Sequence, residues 1–261
     1  MMPRIPLIGM PTYGLFVALG FVAFLLLAWR LAPRYGLSQH AVQDVLVWAS
    51  LWGILGAKIL LIAVEPGEFI AAPWSILFQG GVFYGGLIGG VLAGWFRARR
   101  LGLDPWALAD VVAPCLALAH AFGRVGCFFA GCCYGAPCEA PWALHFHDPL
   151  SAPMLSGISP TQGLHPTQLY EVVGILGIVV LLLALLPRRA FLGQVWWTYV
   201  AAYAALRFVI EMYRGDGRGT LGGISTSQAI ALVGLASSVV GLLVLRRRIQ
   251  PERLSAEPPG P

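Results

Sequence analysis

Two short stretches concentrate the side chains that could do chemistry: H120-A-F-G-R-V-G-C-F-F-A-G-C-C-Y-G135 and H165-P-T-Q-L-Y-E171. The first sets Arg124 near the end of a long apolar run, where an unpaired charge costs on the order of several kcal/mol and marks a site by default. Such a guanidinium needs an anionic partner. A planar fork grips a phosphate through two parallel hydrogen bonds, and in a bilayer the abundant phosphate belongs to a lipid. The other partner is an internal carboxylate. Glu171 or Asp110 would serve Arg124, and Glu211 would serve Arg207 at i+4 in Y203-A-A-L-R-F-V-I-E-M-Y-R-G-D216.

His165 and Glu171 flank Pro166 and could work as an acid–base pair. Alternatively Pro166 starts a helix, His165 caps its approach and Glu171 pairs with an arginine. Cys127, Cys132, Cys133 and Cys138 crowd together without the C-x2-C pairs of a strong zinc site, so no metal is assigned. A disulfide among these four is the favoured reading; free buried thiols, or a metal or redox site with His145 or His147, are the alternatives. Cys115 reads as a small packing residue. Tyr84 sits in G80-G-V-F-Y-G-G-L-I-G-G90, whose six glycines point to close helix contact, a break, or backbone facing a polar cavity. Lys58 and Asp44 read as a structural pair, or Lys58 as a snorkelling side chain.

The elements that must position these residues are membrane helices. The 261 residues are 58% hydrophobic and 11% charged, with a mean hydropathy of +0.75. A soluble domain is roughly a quarter charged, which excludes that class. Seven segments are long enough to cross a bilayer, near 12–31, 41–64, 75–96, 106–130, 167–187, 193–213 and 224–245. The run from Tyr13 to Trp29 ends in Arg30 and Arg34 rather than at a small-residue cleavage site, so it reads as a retained helix and not a signal peptide. The fold class is an all-α membrane protein.

Arginine placement sets sidedness. Arg30, Arg34, Arg97, Arg99, Arg100, Arg188, Arg189, Arg246, Arg247, Arg248 and Arg253 follow alternate spans, eleven of the 17 basic residues. That side is cytoplasmic, with the N-terminus outside and the C-terminus inside. The net charge of +5 therefore reports topology and not a nucleic-acid footprint. Residues 131–163 form a small extracytoplasmic head within a domain spanning 1–249, and 250–261 form a disordered cytoplasmic tail.

Taken in order, these elements resemble the bacterial prolipoprotein diacylglyceryl transferase family. The resemblance rests on Tyr13-Gly14, G85-G-L-I-G89, Asp110 with Pro114, G123-R-V-G126, Gly131, Gly135, H165-P-T-Q-L-Y-E171 and L206-R-F-V-I-E211. It runs from about residue 10 to 235. It implies transfer of a diacylglyceryl group from phosphatidylglycerol to the lipobox cysteine of a preprolipoprotein, with a thioether formed and glycerol phosphate released. The implied localisation is the bacterial cytoplasmic membrane, with no cofactor. Arg124 and Arg207 would grip the head group, Tyr13 would line the cavity, and Gly85, Gly86, Gly123, Gly126 and Gly135 would belong to the substrate site. Four positions depart from the family pattern. Tyr84 stands where most members have histidine, and Cys127, Ala130 and Cys132 replace two asparagines and a glutamate.

A thiol must lose its proton before it attacks. Imidazole suits neutral pH and phenol does not, so His165 rather than Tyr84 is the expected base. Two guanidiniums would stabilise the leaving phosphate. A lipid-binding or anion-transporting membrane protein and a thiol-redox membrane protein are the alternative classes. The first lacks an internal inverted repeat, and the second lacks a C-x-x-C.

Overall fold

The computed structural model describes residues 12–71, 73–74, 81–149, 151–215, 219–221 and 223–255. The helices are α1 (Thr12–Leu31), α2 (Gln39–Val64), α3 (Pro66–Ala71), α4 (Phe83–Arg100) and α5 (Pro105–Ala130). After them come α6 (Ala152–Leu155), α7 (Thr167–Leu185), α8 (Gln194–Glu211) and α9 (Thr226–Ser255). Two-residue strands, β1 (Thr220–Leu221) and β2 (Ile224–Ser225), form a small antiparallel ladder before α9.

Among the described residues, five helical segments are long and apolar enough to cross a membrane: Thr12–Tyr35, Gln39–Val64, Pro105–Ala130, Thr167–Arg188 and Thr226–Arg247. The remaining two of the seven expected spans are helices that fall short of that measure. α4 carries Arg97, Arg99 and Arg100 in its last turn. α8 dilutes its apolar residues with Gln194, Arg207 and Glu211. The third span also starts later than its expected residue 75, at Phe83, and residues 75–80 lie outside the described set. α9 continues to Ser255, past the expected start of the tail, and 256–261 are likewise outside it.

The chain divides into two compact units, one running from Leu25 to Leu108 and the other made of the residues up to Phe24 and from Ala109 onward. Within the Leu25–Leu108 unit, glycines let α2 and α4 meet backbone to backbone. A Cβ on Gly89 would stand 2.5 Å from the Trp52 carbonyl, and one on Gly86 would stand 3.2 Å from that of Gly53. Helices held this close gain dispersion contacts that larger side chains would prevent. Asp44 does not pair with Lys58, contrary to expectation. Both its oxygens accept from Arg97, at 2.6 and 2.8 Å, because Arg97 presents a fork that matches a carboxylate.

In the other unit α8 packs against both α7 and α9. Asp110, fully buried on α5, accepts from the Gly193 and Trp196 N–H groups at 2.9 and 3.0 Å. It thereby satisfies the start of α8, where free N–H groups need acceptors. The segment between α5 and α7 is ordered around Tyr134, Phe146 and Leu164. Backbone bridges join Leu144 and Pro137 to Leu164, and Gly135 to Arg214.

Candidate functional site

α5 carries His120 and Arg124, and α8 carries Tyr203, Arg207 and Glu211, each set spaced four residues apart and so on one helical face. α7 brings Glu171. Arg124 Nε lies 3.1 Å from Glu171 Oε1 and 3.4 Å from His120 Nε2, to which it donates. The Tyr203 hydroxyl donates to the same Glu171 oxygen at 3.1 Å. His120 and Tyr203 stack edge to face, 4.7 Å between ring centres. Arg207 Nη2 pairs with Glu211 Oε2 at 2.6 Å and donates to Ser227 Oγ on α9 at 3.1 Å.

Both arginines therefore have the internal carboxylates that the sequence offered, Glu171 for Arg124 and Glu211 for Arg207. Asp110 is taken by α8 and by Arg189, 3.7 Å away. The pairing leaves capacity over. A guanidinium has five N–H donors and a carboxylate engages two of them at most. Arg207 Nη1 is buried and finds no acceptor among the described residues, and Glu171 Oε2 is buried without a donor. Leaving a buried polar atom unmatched costs about 1–3 kcal/mol, so such atoms point to a missing partner. The side chains of Arg124 and Arg207 are 18% and 11% exposed, whereas Glu171 is at 0%. His120 and Tyr203 feel the charge of both arginines, which places the two guanidiniums around one polar cluster.

Tyr13 enters the same neighbourhood from α1. A Cβ at Gly126 would stand 3.2 Å from the Tyr13 ring and 3.1 Å from Phe16 Cβ, so glycine there permits the close approach of α1 to α5. Tyr13 interacts electrostatically with Arg124, Cys127, Cys132 and Cys133. Gly123 faces open space, whereas a Cβ on Gly135 would stand 2.5 Å from the His165 carbonyl. Gly135 N–H donates to that carbonyl at 3.1 Å and holds the head loop against the start of α7.

His165 sits in aromatic surroundings of its own. Its Nδ1 lies 3.2 Å from the Tyr170 hydroxyl, which accepts from Trp142 Nε1 at 2.7 Å, and its ring meets Tyr213 edge to face at 5.3 Å. The histidine touching Arg124 is His120. Tyr84, Gly85 and Gly86 belong to the Leu25–Leu108 unit, where both glycines pack against α2.

All five cysteines are free thiols. Three of the four expected to act together converge: the sulfurs of Cys127, Cys132 and Cys133 lie within 4.8 Å of one another. Cys138 instead accepts from the Ala140 N–H at 3.3 Å. The Cys127 and Cys132 thiols, with the Arg214 guanidinium, hold the Cys133 thiol below the ordinary range.

Sequence reasoning assigned no role to His120, Tyr203, Ser227 or Arg214. The signal for the first two was available, since each stands one helical turn before an arginine. Ser227 and Arg214 reach their partners through tertiary packing that spacing does not reveal.

A family model described as prolipoprotein diacylglyceryl transferase matches residues 2–244. The chain is 34% identical over 234 residues to the phosphatidylglycerol–prolipoprotein diacylglyceryl transferase of Clostridium tetani, covering 89% of this chain and 90% of that one. It is 35% identical to the enzyme of the same name from Gloeobacter violaceus, covering 90% and 88%. With that of Enterococcus faecalis the identity is 34%, covering 92% and 89%.

Proposed function

The chain belongs to the prolipoprotein diacylglyceryl transferase family, and from that premise we propose that it moves a diacylglyceryl group from phosphatidylglycerol to the lipobox cysteine of a preprolipoprotein. It is a multi-pass membrane transferase. In the proposed arrangement all seven long helices span the bacterial cytoplasmic membrane, with the N-terminus and the 131–163 head outside and the 250–261 tail inside.

The observation that carries the site assignment is Arg207 Nη1, buried and unmatched among the described residues, beside a second partly paired guanidinium, Arg124. Glu171 and Glu211 fix the orientation of the two side chains and balance their charge while no lipid is bound. A phosphodiester oxygen would complete the donors that these carboxylates leave over, and Tyr13 would line the same cavity. The acceptor sulfur then bonds to the glyceryl carbon, the carbon–oxygen bond to phosphate breaks, and glycerol phosphate departs. Charge builds on the leaving phosphate, where preorganised guanidiniums stabilise it most. His120 accepts the Arg124 N–H on Nε2, which ties up the lone pair a base would need. It therefore positions the guanidinium, and His165 is the proposed base.

The test is transfer of radiolabelled diacylglyceryl from phosphatidylglycerol to a lipobox peptide by the purified protein in detergent. Release of glycerol phosphate in equal amount is the expected result. Lipid that binds but never reacts, with no rescue of a strain depleted of its own transferase, would leave a lipid-binding fold without the reaction.

A further inference from the structure

The convergent thiols of Cys127, Cys132 and Cys133 have no part in the proposed transfer, and the backbone is bent to bring them together. Cys127 lies in the last turn of α5, and its carbonyl accepts the Cys132 N–H at 3.2 Å. Gly131 has φ +68° and Cys133 has φ +61°, the latter the one non-glycine residue with positive φ among the described residues. That conformation costs an L-residue roughly 1–2 kcal/mol, and such strain gathers at ligand clamps. Without it the adjacent Cys132 and Cys133 would direct their sulfurs apart. Two side chains from the first turn of α7 lock the bend: Gln168 Nε2 donates to the Cys132 carbonyl at 2.7 Å and Thr167 Oγ1 to the Cys133 carbonyl at 2.9 Å. Thr167 and Gln168 are buried, at 0% and 1% exposure, so the clamp is part of the core.

We infer that Cys127, Cys132 and Cys133 form a three-sulfur site for a thiophilic closed-shell metal ion, Cu(I) in preference to Zn(II). A metal–sulfur bond of about 2.3 Å places the sulfurs of such a site roughly 3.8–4 Å apart. The three thiols already lie within 4.8 Å of one another, so a contraction of under an ångström closes the site. A disulfide requires about 2.05 Å and would leave the third thiol unused. Three sulfurs complete the trigonal set that soft, monovalent copper accepts, whereas zinc wants a fourth donor. Each sulfur that bonds the ion gives up its proton to solvent, and no electron moves. Three thiolates around Cu(I) carry a net charge of −2. Arg214, which hydrogen-bonds Cys133, and Arg124, within electrostatic reach of Cys127 and Cys133, offset it.

The experiment uses the full chain, purified in detergent under anaerobic reducing conditions and then freed of reductant. Cu(I) and Zn(II) are titrated separately against chromophoric chelators, while thiol reactivity is counted with and without each ion. One Cu(I) per chain is expected, with a sulfur-to-metal charge-transfer band and the loss of reactivity confined to the three clustered thiols. Cys127→Ser and Cys133→Ser should each weaken Cu(I) binding at least tenfold, and Cys138→Ser should bind as wild type. Each variant should match wild type in monodispersity and thermal unfolding, which separates loss of a ligand from loss of fold. Tighter binding of Zn(II) than Cu(I) would overturn the copper preference. Absence of stoichiometric binding by a folded, fully reduced chain would overturn the site, as would binding that survives removal of all three thiols. A disulfide among these cysteines in protein that takes up neither ion even after reduction would overturn the site and favour the disulfide expected from the sequence.

Discussion

Arg207 and Arg124 differ in what their neighbours leave over. Arg207 Nη2 pairs with Glu211 and donates to Ser227, while Nη1 is buried without an acceptor among the described residues. Arg124 is engaged through Nε by Glu171 and His120. Replacing either by alanine should lower transfer from phosphatidylglycerol roughly a hundredfold or more, the scale seen when a preorganised donor to developing charge is lost. Lysine should rescue poorly, because a point charge cannot reproduce the fork. Arg246→Ala, at an exposed position on α9, should leave the rate unchanged. Near-normal turnover by Arg124→Ala would remove the phosphate grip from the mechanism. The base is tested by a second comparison. Tyr84→Phe should cost about tenfold, the loss of one hydrogen bond, and His165→Ala roughly a hundredfold or more. A dead Tyr84→Phe enzyme beside an active His165→Ala enzyme reverses the assignment. Both arginines and their carboxylate partners were legible in the sequence, since a charge in an apolar run needs a counter-charge and few are on offer. The choice of Glu171 over Asp110 was not legible. It follows from Asp110 capping α8 from a different helix, a contact between residues more than eighty positions apart.

At the scale of the helix, glycine decides how closely α2 and α4 approach. Gly89→Ala would push a Cβ to 2.5 Å from the Trp52 carbonyl, and Gly81→Ala would push one to 2.6 Å from Ala57 Cβ. Overpacking of this kind typically destabilises by about 1–3 kcal/mol. Thermal unfolding in detergent should therefore show a lowered midpoint for Gly89→Ala, while Gly14→Ala, with nothing within 4 Å of its new methyl group, should match wild type. An unchanged midpoint for Gly89→Ala would mean that the two helices can separate freely. The glycine run announced a close contact from composition, but not its partner, because Gly53 and Gly56 sit singly in an otherwise ordinary apolar helix. Helix positions were the most legible feature: α1, α2, α5 and α7 begin and end within about three residues of their expected limits, where Ser38 and Asp104 cap as their types suggest. α4 was the least legible, since glycine lowers both helix propensity and apolar signal.

For the whole chain the open quantity is how many helices cross and which way. Among the described residues five meet the measure of length and apolarity, and α4 and α8 miss it through their charged and polar residues. Arginine in the last turn of α4 favours a cytoplasmic end, and Arg207 with Glu211 forms an internal pair that reduces the cost of carrying charge into the bilayer. If only the five most apolar segments crossed, the arginine-rich ends after α4 and α7 could not share a side with those after α1 and α9, because the number of crossings between them would change parity. Seven crossings keep all four arginine groups on one face. Reporter cysteines placed singly at Arg99, Ser159 and Arg246, in a chain whose five native cysteines are replaced by serine, distinguish the two. A membrane-impermeant maleimide applied to intact spheroplasts should label the Ser159 reporter alone, and the other two should react only after permeabilisation. Labelling of the Arg99 reporter from outside would break the seven-span arrangement. It would also remove the argument that Arg124, Arg207 and the head loop open to the same side of the membrane.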